Sequence, residues 1–153
     1  MKEKLLEIFE QNKDKRICVL GTSCTGKSYL IKELGLGLDM DDEIFPKLTK
    51  EESEYVCMTP WTEEIGETMN RLVRTKLKIC PGVPMFGTVL LDSDLIVYLH
   101  ISDELLKERC NMRGVDFNNA KGMQQEIEKE INNSNIETIT IEVENNKKIG
   151  FKK

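Results

Sequence analysis

Glycine, lysine and hydroxyl residues fall in one short stretch in an order suited to holding phosphate: Gly21-Thr22-Ser23-Cys24-Thr25-Gly26-Lys27-Ser28. The stretch fits G-x-x-x-x-G-K-[ST], the Walker A phosphate-binding pattern. Glycines let the backbone fold closely around an anion, so that successive N–H groups and a helix N-terminus point at it. Lys27 supplies a mobile positive charge near the β- and γ-phosphates of a nucleotide. The Ser28 hydroxyl is a hard oxygen suited to Mg²⁺. Gly21 to Tyr29 are therefore the expected nucleotide-binding residues. Cys24, within the loop, is expected to be an exposed thiol, activated by the N–H groups and Lys27.

The flanks fit such a loop. Arg16-Ile17-Cys18-Val19-Leu20 reads as a buried strand, and Ser28 to Leu34 as a helix. Upstream, Lys2 to Asn12 carries an apolar stripe of Leu5, Leu6, Ile8 and Phe9, which predicts an additional N-terminal helix. Thr49 to Val56 reads as a short helix. Thr59-Pro60 is a helix start signal, followed by Trp61, Ile65, Met69, Leu72 and Val73 at helical spacing, with Trp61 expected in the core. Leu77 to Cys80 is a candidate third strand stopped by Pro81-Gly82, and Asp94 to Ile101 is the clearest buried strand. Ser102 caps a helix that Gly114 ends, Ala120 to Asn132 is a further helix, and Ile139, Ile141 and Val143 alternate as a strand near the sheet edge. Strands alternating with helices predict an α/β fold: a mainly parallel, roughly five-stranded sheet flanked by helices on both faces, in three layers.

The 153 residues fit one domain. Apolar residues make up 39% and charged residues 32%, as in a soluble globular protein. No apolar run approaches a membrane span, and the amphipathic N-terminus does not read as a secretory signal. Five cysteines, odd in number and without C-x-x-C spacing, predict a reduced cytoplasmic setting and no zinc site. A net charge of −5 gives no electrostatic footprint for a nucleic-acid polymer. No membrane partner is expected, and a monomer or weak dimer is.

Beyond the loop, the chain resembles the small P-loop kinases, the shikimate kinase-like and adenylate kinase-like enzymes, from about Arg16 to Val143. Asp39-x-Asp41 stands where shikimate kinase-like enzymes carry a D-x-D on the second strand. The run Leu95 to Gly114 looks like the fourth strand and following helix, with Leu105, Arg109 and Arg113 at four-residue spacing. Lys78 to Gly82 stands where the third strand ends in a glycine-containing substrate loop. The resemblance implies ATP and Mg²⁺ as cofactors and a small hydroxylated molecule as phosphoryl acceptor. Ser28 and Asp39 would hold the metal. Asp39 and Asp41 would meet the acceptor, with Asp41 orienting or deprotonating its hydroxyl. Lys27 and Arg113 would act on the transferring phosphoryl group, and Arg109 would stack on adenine. Arg74 and Gly82 would contact the acceptor.

The chain also departs from that family. Pro81-Gly82-Val83-Pro84 replaces a triple-glycine turn, and the lid, about residues 113–120, is short and lacks a basic, proline-rich insert. After the last strand, Glu144-Asn145-Asn146-Lys147-Lys148 does not match the family's adenine-contacting loop and final helix, so the N-terminal helix is expected to fill part of that cover. Two other functions stay open: a nucleoside or nucleoside-monophosphate kinase, and a nucleotide-binding regulatory protein whose kinase activity has decayed. The acidic cluster also reads as a solvated loop. Arg109 and Arg113 also read as surface charges paired with Glu104, Glu108 or Asp116, and Arg71 and Arg74 as a solvated helix face.

Overall fold

Ile17-Cys18-Val19-Leu20 (β1) is buried on both faces, and the sheet is built outward from it. The computed structural model describes residues 1–144; residues 145–153, the place of the family's adenine-contacting segment, lie outside it. β1 is flanked by β3 (Met85–Gly87) and β4 (Leu95–His100). β2 (Leu38–Asp39) and β5 (Glu137–Glu142) form the edges, giving the order β2-β3-β1-β4-β5. All four pairings are parallel, with Cys18 opposite Met85 on one side and Ile96 on the other. A parallel sheet needs cover on both faces, and its central strands are accordingly continuous apolar runs.

One face carries α1 (Lys2–Gln11), α2 (Lys27–Leu34) and α6 (Asp103–Arg113) over Val19, Phe86, Val97 and Leu99. The other carries α3 (Met40–Ile44), α5 (Glu63–Lys76) and α7 (Phe117–Asn133) over Cys18, Leu20, Met85 and Ile96. α4 (Lys50–Val56) packs with Ile65 and Leu72 of α5 in a small separate cluster of Val56, Ile65 and Leu72. α1 is anchored by Leu5, Ile8 and Phe9, and the Phe9 ring meets Phe86 edge-on at 6.3 Å. Truncating a buried phenylalanine of this kind costs about 3–5 kcal/mol. The extra N-terminal helix is thus part of the core. Among the described residues no helix is long and apolar enough to cross a membrane.

Four expectations are corrected. The third strand is Met85–Gly87, not Leu77 to Cys80. Leu77 and Ile79 are buried, but Cys80 pairs antiparallel with Val83 around the Pro81-Gly82 turn, so that segment folds back before the sheet is reached. α5 begins at Glu63, because the Thr62 hydroxyl, not Thr59, accepts from the Ile65 N–H. Trp61 therefore precedes the helix and is 57% exposed, lying against Gly66 rather than in the core. The lid shrinks to Gly114–Asp116, because Asp116 caps α7 and Phe117 to Ala120 form its first turn.

Candidate functional site

The Gly21–Ser28 loop leaves the C-terminal end of the central strand and enters α2 at Lys27. In open parallel sheets this end is where ligands bind. Gly26 caps α2 with φ 95°, a left-handed conformation that glycine adopts without strain. Cys24 takes φ 70° without that freedom. Such strain persists where the surroundings hold it in place, and here they do. The Thr22 hydroxyl donates to the Ala120 carbonyl of α7 at 2.6 Å, and the Thr25 hydroxyl donates to the Thr22 carbonyl at 2.9 Å. Cys24 is only 6% exposed, with its Sγ 4.0 Å from that of Cys110 on α6. The expected exposed thiol is therefore overturned: packing against α6 turns the side chain under the loop.

Lys27 bends back over the loop. Its ammonium donates to the Gly21 carbonyl at 2.6 Å and the Thr22 carbonyl at 2.8 Å. Desolvation pulls its pKa down to about 8, opposed by the charges of Asp39 and Asp41. The Ser28 hydroxyl stands 3.3 Å from Asp39 Oδ2, so the two candidate metal oxygens are neighbours. Asp39 ends β2 and caps α3, its Oδ1 accepting the Asp41 N–H at 2.9 Å. Asp41 thus sits in the first turn of α3, where the resemblance implied a strand position. Desolvation, then the nearby Asp39, push the Asp41 carboxyl upward, although it remains open to solvent at the mouth.

Two features missed in the sequence place these carboxylates. Gly87, at the end of β3, leaves room for Met40, whose side chain would collide with any Cβ there. Met40 and Ile44 can then bury against the sheet and hold α3 over the loop. The third-strand glycine is thus Gly87, in a three-residue strand too short to show periodicity.

Opposite, α6 brings Arg109 and Arg113 to the loop. Arg109 donates to the carbonyls of Cys24 at 3.3 Å, Thr25 at 3.1 Å and Glu144 at 3.3 Å. Its guanidinium braces the loop from outside, a role the expectation of adenine stacking did not include. Arg113, the last residue of α6, is exposed, and its charge reaches Lys27. Between α1, α2, α6 and the loop lies a cavity of about 610 Å³ to which both arginines contribute.

The structure does not bring Arg74 and Gly82 to this site. Arg74 pairs with Glu130 of α7 and donates to the Leu90 carbonyl. Glu130 lies ten residues beyond Ala120, or about 15 Å along α7 from the loop, at the helical rise. Gly82 lies beside the Lys13 carbonyl, ahead of β1 and so at the opposite end of the sheet. Its glycine serves the Cys80–Val83 turn at φ 84°.

No protein-family model matches the chain, and no curated protein sequence matches it.

Proposed function

We propose that this chain is an ATP-dependent phosphotransferase that delivers a phosphoryl group to a hydroxyl of a small molecule, as a small P-loop kinase. One observation carries the reading. The Lys27 ammonium is held over the loop carbonyls at the C-terminal end of the central strand, with the Ser28 and Asp39 oxygens 3.3 Å apart nearby. Nucleotide binding alone would not require the second carboxylate, Asp41, at the same mouth.

The donor set fits magnesium, which takes hard oxygens and is commonly held by one or two carboxylates together with phosphate oxygens. Ser28 and Asp39 would supply the protein ligands. When bound, Mg²⁺ would offset the charge of the terminal phosphates. The chain's own residues do the rest. The loop N–H groups and Lys27 grip the phosphates, Arg113 adds a cation on the far side, and the braced loop keeps them aligned. Asp41, with its pKa pushed up, is a stronger base than an ordinary surface carboxylate and accepts the acceptor's proton. Five free cysteines fit a reducing, cytoplasmic setting.

A second reading has its own support. α6 and α7 are joined by three residues with no basic side chain, so little can close over the phosphates. That favours a nucleotide-binding regulatory protein without transfer. Incubation with γ-phosphate-labelled ATP, Mg²⁺ and a panel of sugars, hydroxy acids, polyols and nucleosides separates the two. Label transfer to an acceptor supports the kinase. ATP binding with no transfer to any acceptor class supports the regulatory reading.

A further inference from the structure

The cavity beside the loop has a wall that the loop motif does not explain. Its volume of about 610 Å³ falls in the range of small-ligand sites. Its lining combines three kinds of chemistry, with Arg109 bonded to the loop and Lys2 paired with Glu33, one helical turn beyond Tyr29 on α2. Arg109 and Arg113 put positive charge near the loop, Tyr29 and Met112 offer apolar faces, and Lys2 and Glu3 of α1 add a charged edge. A nucleoside triphosphate carries the matching groups: phosphates, a flat π-face, and a base edge of donors and acceptors. Tyr29 is 41% and Met112 58% exposed, and these two large side chains from different helices line the same cavity. Aromatic and thioether groups are good partners for a base face.

α1 is fixed well enough to serve as a wall. Its buried stripe is anchored in the core, and Lys2 Nζ lies 3.9 Å from Glu33 of α2, joining the two helices. Arg109, by contrast, already donates to three backbone carbonyls. Resting on the nucleotide reading of the Gly21–Ser28 loop, we propose that Tyr29 supplies the face on which the base lies, and that Lys2 and Glu3 of α1 close the base end of the site. The N-terminal helix is then a nucleotide-binding element as well as a core element.

The test compares ATP with inorganic tripolyphosphate, which has the phosphates and no base, by calorimetry on the full chain. Wild type should bind ATP more tightly than tripolyphosphate. Tyr29→Ala should weaken ATP about tenfold, as for loss of one stacked base, and leave tripolyphosphate within about twofold. Lys2→Ala combined with Glu3→Ala should weaken ATP about threefold, the scale of one or two exposed hydrogen bonds, again sparing tripolyphosphate. ATP affinity unchanged in both variants overturns the proposal, as does equal loss of both ligands, which would mean that the substitutions act through the loop. Equal wild-type affinity for the two ligands overturns it and leaves the phosphate loop standing. Wild type that binds neither ligand overturns the loop reading, and this proposal with it.

Discussion

The two sides of β1 are built to different standards. Toward β4, the loop is tied at every turn: Thr22 and Thr25 are buried and hydrogen-bonded, Cys24 packs on Cys110, and Arg109 bridges to α6. Toward β3, residues 40–56, ahead of α5, are a series of short pieces. α3 has 5 residues, a 3-10 turn at Phe45–Lys47 has 3, and α4 has 7. α3 buries Met40 and Ile44 against the sheet, but below α4 lies only the small Val56, Ile65 and Leu72 cluster, and Phe45, Met58 and Trp61 stand at least 40% exposed. Short helices depend on tertiary packing, and little packing is available here. On the proposed kinase reading, the firmly tied side would hold the nucleotide and the loosely packed side the acceptor. Asp39 and Asp41 stand on the boundary between them.

That boundary yields the largest expected effect short of losing the nucleotide. Asp41→Asn should keep ATP binding and lower turnover by about a hundredfold, as for a lost positioned base. Once an acceptor is known, unchanged turnover would remove Asp41 from the chemistry. Asp39→Asn should instead weaken the dependence on Mg²⁺.

Hydrogen exchange probes the contrast without any ligand. Amides of α4 and the first half of α5 should exchange at least about tenfold faster than those of β1 and β4, because their opening breaks only the small cluster. Equal protection on both sides would erase the distinction.

Thiol chemistry provides a third probe. Cys57 and Cys80 are exposed, whereas Cys18, Cys24 and Cys110 are buried. Desolvation pushes Cys18 up to about 12 and Cys110 up to about 11, so both stay protonated near neutral pH and react slowly. Brief alkylation with peptide mapping should label Cys57 and Cys80 first. Early labelling of Cys24 would show that the loop is looser than its bonds imply.

The smallest effect lies at the other end of β1, where Arg16 donates to Asp94 at 3.0 Å and Asp92 at 2.9 Å. Arg16 draws the Asp94 pKa from 3.8 down to about 2. A carboxyl depressed on folding stabilises above its unfolded pKa, and that contribution disappears as pH falls from 3.8 toward 2. Asp94→Asn should lower Tm by about 1–3 °C at pH 7 and by clearly less at pH 2, where most of the contribution is gone. Equal loss at both pH values would assign the effect to something other than ionisation.

The sequence was legible where one local rule decided the outcome. Loop glycines, the Ser102 cap, the apolar runs of β1 and β4 and the stripe of α1 each follow from spacing alone, and they place the loop and α6 correctly. Reading failed where a distant partner decided. The three residues of β3 show no period, whereas Leu77–Cys80, stopped by a proline turn, has the pattern of a strand without joining the sheet. Arg74 finds its partner, Glu130, 56 positions away. Cys24 is buried by a helix 86 residues further on. Lys27 is partly buried where it folds back onto its own loop carbonyls, a contact that spacing alone does not show, so its removal should also cost the loop some rigidity.

The most direct test is calorimetric titration of ATP with Mg²⁺ into wild type and Lys27→Ala, with circular dichroism showing that both are folded. Saturable binding in wild type, lost or weakened at least about a hundredfold in the variant, is the predicted result, because a partly buried cation gripping phosphate is worth about 3 kcal/mol. Equal affinity in the two proteins, or no binding by wild type, would contradict the assignment of Gly21–Ser28 as a nucleotide-binding loop.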